Sequence, residues 1–165
     1  MVSLGGTAGL RYWQKGNPTP TWRGTFRGQA AYLVGAGSGM EVRVGNFIGP
    51  WWKMIGVSVG PDLFWNQYTW GSVTLEPTTG VGLPVMTTVG VKQFSVFGGV
   101  EPAWYISSER DPVDWSETDA FGFGHEFSKT AGVSLNLPLF RVGVYVTERT
   151  TSLGKQVGYG LSLKL

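Results

Sequence analysis

The chain ends on an unbroken alternation. Val157, Tyr159, Leu161, Leu163 and Leu165 are apolar, while Gly158, Gly160, Ser162 and Lys164 between them are small or polar. Successive side chains of an extended strand point to opposite faces, so this stretch reads as a β-strand with one apolar face. The same period of two recurs from Trp22 to Ile48. Trp22, Gly24, Phe26, Gly28, Ala30, Tyr32, Val34 and Ala36 share one parity, and Arg23, Thr25, Arg27, Gln29, Ala31 and Leu33 the other. Gly37-Ser38-Gly39 supplies a permissive turn, and Gly35–Gly39 lacks the Lys-Ser/Thr of a phosphate loop. The return strand sets Met40, Val42, Val44 and Ile48 against Glu41, Arg43 and Gly45.

Composition decides which of these faces meets water. A soluble β-domain covers its wet face with charge, yet only 15% of this chain is charged, against roughly 25% in an average domain. Glycine is abundant, at 26 of 165 residues, and eight Trp, six Tyr and nine Phe supply aromatic surface. That balance suits a membrane barrel, with aliphatic and aromatic side chains outside and small or charged ones within. The length fits a single domain over residues 1–165. A net charge of +2 offers nothing to nucleic acid, and no cysteine excludes disulfides and thiolate metal sites. One histidine excludes a His-rich metal site, and no motif implies a cofactor. No run of about 18 apolar residues forms a membrane helix. Met1–Gly5 already alternates and carries no leader pattern, so the expectation is a mature chain with an added initiator Met.

The last strand also resembles the C-terminal β-signal of bacterial outer-membrane barrels: polar, any, Gly, two of any, hydrophobic, any, hydrophobic. Gln156, Gly158, Leu161 and Leu163 fall on those four positions, although that family usually ends on Phe or Trp and this chain ends on Leu165. The resemblance implies an antiparallel, closed, up-and-down transmembrane β-barrel in the outer membrane. It also implies partners of two kinds, membrane lipids (or detergent) and the barrel assembly machinery.

Alternation and turn residues predict strands near 2–13, 22–36, 40–49, 52–60, 64–75, 80–91, 94–106, 120–135, 139–149 and 155–165. That makes ten strands, or eight if the weak segment Pro61–Thr79 loses a hairpin. Pro84 and Pro102 fall inside these strands and predict a bulge or a boundary. An even count places both termini on one side, the periplasm by convention. Connections near 14–21, 50–51, 76–79, 107–119 and 150–154 would then share the other rim, which Trp13, Trp22, Trp51, Trp52, Trp104 and Trp115 would girdle.

The charged parity is expected to face the lumen: Arg23, Arg27, Glu41, Arg43, Glu101 and Arg141, with Arg11, Arg149 and Lys155. An unpaired charge in a crowded lumen is costly, so Glu41 is expected within ion-pairing reach of an arginine. Catalysis has little support. His125 and Ser128 are three apart and point to opposite faces, unlike the His-x-Ser of barrel lipid A deacylases. Glu109–Asp119 is acidic but lacks Ca²⁺-loop spacing, and reads as a solvated loop and the best place for a partner contact. The expectation is a structural or binding barrel, or a narrow pore, without a catalytic site. The alternatives are a soluble lipocalin- or avidin-like carrier, which would put Trp22 and Phe26 inside, and a lipid-modifying barrel enzyme.

Overall fold

A computed structural model describes residues 2–15, 20–34, 37–70, 72–74, 77–91, 93–108, 126–151 and 154–164. The described residues form strands and no helix: β1 Val2–Lys15, β2 Thr21–Val34, β3 Gly37–Trp52, β4 Ile55–Val59, β5 Asp62–Trp70, β6 Val73–Thr74, β7 Thr78–Gly82, β8 Val85–Gly90, β9 Phe94–Ser108, β10 Glu126–Asn136, β11 Arg141–Thr151 and β12 Gly154–Lys164. Hydrogen bonding closes β1-β2-β3-β4-β8-β9-β10-β11-β12 into a ring. Every neighbour in that ring is antiparallel except β1 and β12, which run parallel from Val2↔Val157 to Gly9↔Lys164. The ring therefore holds nine strands, not ten or eight.

The missing strand traces to Pro61. Pro61 was expected to end one strand and begin a hairpin. Instead β5 continues in the direction of β4, and both pair with β3: Trp52↔Ile55 to Ile48↔Val59, then Gly45↔Asp62 to Gly37↔Trp70. Pro61 has no N–H to lose, and its carbonyl accepts from the Asn46 amide at 3.1 Å, so the ladder crosses the break. Leu83-Pro84 breaks the next line in the same way. There β8 and β7 pair successively with β9, and the Leu83 amide reaches the Pro102 carbonyl at 2.9 Å. β5 and β7 thus bridge β3 and β9 at one end of the barrel, as β4 and β8 do at the other, and β6 pairs with the tip of β5. Trp52, expected to open a strand, closes β3.

An odd count also changes the ends. β1 begins and β12 finishes toward opposite ends, so the termini do not share a side. The connections after β1, β3, β8 and β10 share one end, where the link from β3 to β4 is only Lys53 and Met54. Those after β2, β9 and β11 and the β5–β7 link share the other. Trp13, Trp22, Trp51 and Trp52 belong to the short-turn end, whereas β9 carries Trp104 toward the loop end. The single tryptophan rim becomes two groups.

The two parities separate cleanly. Leu4, Phe26, Tyr32, Val44, Leu63, Val96, Val144 and Leu161 are among a belt of large apolar side chains lying exposed on the outer face. Among the described residues, Phe47, Phe64 and Ala103 are buried apolar side chains inside, beside buried Glu41, Arg43, Asp62, Asn66, Ser95, Glu126, Ser128, Ser134 and Gln156. This inverts the distribution of a water-soluble domain.

Candidate functional site

β2, β3, β5, β9, β10 and β11 each send a charged side chain of inward parity into the lumen. Arg43 of β3 lies at the centre. Its Nε donates to Glu41 Oε1 at 2.8 Å, and its guanidinium also contacts Glu101, Asp62 at 3.8 Å and Glu126 at 3.7 Å. Arg149 of β11 forks onto Glu41, with Nη2 to Oε1 at 2.8 Å, and approaches Glu126 at 3.7 Å. Arg27 of β2 pairs with Asp62 at 3.0 Å. Three guanidinium groups thus face four carboxylates. Glu41, Arg43, Asp62 and Glu126 are all buried.

Rings and glycines shape the space around them. The Arg43 guanidinium lies 4.6 Å from the Phe64 ring centre, and Arg27 lies 4.5 Å from that of Phe47. Tyr105 packs edge-on against Phe64 and donates its hydroxyl to Glu126 Oε1 at 2.7 Å. A Cβ at Gly82 would run into the carboxylates of Asp62 and Glu101, and one at Gly45 would come within 2.6 Å of the Asp62 Cβ. Glycine at these positions is what lets four acids share one cross-section. Asp62 Oδ1, Glu126 Oε2 and Asn66 Nδ2 are buried without a hydrogen bond, so the two carboxylate oxygens are held by charge alone. A buried network of this kind stabilises only while every member stays paired. Among the described residues no group of acidic or histidine side chains is placed to hold a metal, because arginines fill the centre.

Toward the short-turn end the lumen opens. A cavity of about 180 Å³ above the cluster, lined by Arg23, Arg27, Arg43, Glu101, Arg141 and Arg149 among others, leads to a mouth cavity of about 840 Å³. Arg23, Trp51 and Arg141 line both. Arg23 stacks 4.4 Å above the Trp51 ring, and Arg141 lies 5.8 Å from it.

Of the residues expected in the lumen, Arg23, Arg27, Glu41, Arg43, Glu101, Arg141 and Arg149 line it, and Glu41 meets two arginines. Those two are Arg43 and Arg149, and Lys155 lies outside the lumen. Lys155 is 71% exposed and sits 3.8 Å from Glu148 on the same outer face. Arg11 pairs with Thr25 along the β1–β2 ladder, and its side chain lies outside the described atoms.

Of the expected girdle, Trp22 and Trp52 are exposed, Trp104 is half-buried, and Trp51 turns inward because it alternates with Trp52. Trp13 pairs with Gly24 past a bulge, its side chain likewise not described, and Trp115 lies outside the described residues. In the terminal strand Gln156 and Gly158 are buried, whereas Leu161 and Leu163 are exposed.

His125 and the acidic stretch Glu109–Asp119 lie outside the described residues. Ser128 is buried and accepts from Arg149 Nε at 3.4 Å.

Sequence reading passed over Asp62, Asn66 and Glu126. The signal was there: Asp62, Phe64 and Asn66 alternate with Leu63 and Trp65. Reading Pro61 as a chain reversal puts Asp62 in a turn rather than on an inward-facing strand position, and Glu126 reaches the cluster only through the pairing of β10 with β9. Comparison with protein-family models, curated proteins and solved structures found no match for this chain.

Proposed function

We propose that this chain is an integral outer-membrane β-barrel whose lumen is held shut by the arginine–carboxylate cluster, with a binding or structural role rather than that of an open pore. The observation that carries this reading is the inverted barrel, with an apolar belt outside and charge inside. Trp22 and Phe26, which a soluble ligand-carrying barrel would bury, are 45% and 47% exposed. Apolar surface in water costs about 25 cal/mol per Å², so a belt of this extent calls for lipid. The terminal strand supports the same reading, since Leu161 and Leu163 of the β-signal lie on that belt. Short turns conventionally face the periplasm, which would put the mouth cavity on that side.

Membrane insertion makes two expected results. The folded chain should require detergent and run faster than its heat-denatured form on a semi-native gel. A monodisperse monomer without detergent would defeat the membrane assignment. In planar bilayers the barrel should carry little current, and Glu41→Ala, which removes one of the four carboxylates, should shift any residual current toward anions. A steady, wide conductance in the unaltered barrel would contradict a closed lumen.

A further inference from the structure

We propose that the upper lumen, between the cluster and the mouth, binds a neutral polyhydroxylated ring the size of one pyranose. The cavity there holds about 180 Å³ and opens to the short-turn end through the mouth cavity of about 840 Å³. An apolar cavity of about 150 Å³ admits a benzene ring, so this one suits a single six-membered ring with its substituents. Much of the polar lining is unused by the fold. Thr25 and Gln29 of β2, Ser58 of β4, Thr88 of β8 and Ser162 of β12 line the cavity and are half-buried. None of these five is hydrogen-bonded through its side chain to another described residue, whereas Thr130 and Thr147 in the same lining bond each other at 2.8 Å. A hydroxyl both donates and accepts, so such a wall matches the hydroxyls of a polyol.

Two rings supply the apolar half. Phe97 of β9 and Tyr145 of β11 line the same cavity, and each lies against a glycine of the neighbouring strand. A Cβ at Gly132 would come within 2.4 Å of the Phe97 ring, and one at Gly160 within 2.3 Å of the Tyr145 ring. The rings are thereby laid along the wall rather than across the lumen, which keeps the cavity open and turns a face of each toward it. The C–H face of a sugar ring packs on such a surface while its hydroxyl rim reaches the polar side chains of other strands. Charge favours a neutral ligand. At the floor Arg27 pairs with Asp62, Arg149 with Glu41, and Arg43 with Glu41 and Glu101. An anion would compete with carboxylates already seated on these arginines, and a cation would face the guanidinium groups. This site deepens the binding role proposed above and depends on the lumen being closed beneath it.

The test is calorimetric titration of the folded barrel, held in a polyoxyethylene detergent without a sugar head, with methyl glucoside, cyclohexanol and glucose 6-phosphate. Methyl glucoside should saturate a single site. Thr25→Val, Thr88→Val and Phe97→Leu should each weaken it about three- to tenfold, the scale of one uncharged hydrogen bond or one ring contact. The two valine variants should keep the gel shift of the unaltered barrel, because neither hydroxyl holds another described residue. Cyclohexanol should bind at least about tenfold more weakly, having lost most of the hydroxyls, and glucose 6-phosphate no more tightly than methyl glucoside. No saturation, or unchanged affinity in both valine variants, would overturn the site. Equal affinity for cyclohexanol would overturn the polyol assignment, and tighter binding of glucose 6-phosphate the neutral class. Planar-bilayer current from the same preparation separates the two readings. A near-silent barrel that does not bind the glucoside defeats this site alone, whereas a wide, steady current defeats the closed lumen on which it depends.

Discussion

Arg43→Ala is expected to destabilise the barrel by about 3–5 kcal/mol, the scale of removing one partner from a buried ion pair. Arg43 is buried and touches Glu41, Asp62, Glu101 and Glu126. Its loss leaves four carboxylates to Arg27 and Arg149 in a crowded lumen. Glu41→Ala should cost a comparable amount, because it leaves the Arg43 and Arg149 guanidinium groups facing each other. Arg23→Ala should cost about 1 kcal/mol or less, since it stacks on Trp51 near the wet mouth, away from the buried cluster. Urea unfolding of the detergent-held barrel, followed by gel shift, ranks the three. Equal stability for Arg43→Ala and Arg23→Ala would mean the cluster does not hold the wall strands together.

The second large effect concerns the outer face. Leu161 is 63% exposed and Val144, its partner across the β11–β12 ladder, 53%. Either residue changed to Arg should lose about 2–4 kcal/mol if it lies near the bilayer midplane. In cells, Leu161→Arg should also fail to assemble, since under the proposed function it removes a hydrophobic position of the terminal signal. The inward neighbour offers the contrast. Thr147, on the lumen side of β11, the strand of Val144, lies at the wall of the small upper cavity, and Thr147→Lys should be tolerated far better. Insertion of Leu161→Arg at the unaltered level, with Thr147→Lys no better, would show that the belt does not face lipid.

The division of faces was legible because parity is local. In a strand the direction of a side chain depends only on odd or even position, so Glu41 and Arg43 against Val42 and Val44 needed no tertiary knowledge. The composition then indicated which face is apolar and outermost. The same logic failed where parity is not enough. Trp51 and Trp52 are adjacent, and a rule that assigned both to one girdle overlooked that they must diverge.

Which strand lies beside which is not local, and there the tertiary structure decided. Whether the chain reverses at Pro61 or runs on through it depends on β3, sixteen residues long and able to pair first with β5 and then with β4. A proline reads as a chain break in sequence, yet an amide from the neighbouring strand to its carbonyl keeps the ladder whole. That one crossing sets the count at nine, makes β1 and β12 parallel, and sends the tryptophans to two ends. It also aims Asp62 inward beside Arg27 and Arg43, completing a cluster whose members are up to 122 residues apart in sequence, from Arg27 to Arg149. By itself the sequence determined the alternating faces and the apolar exterior. Only closure of the ring decided how many strands there are and which charges meet, because strand pairing is fixed by hydrogen bonds between distant segments rather than by any one segment's own pattern.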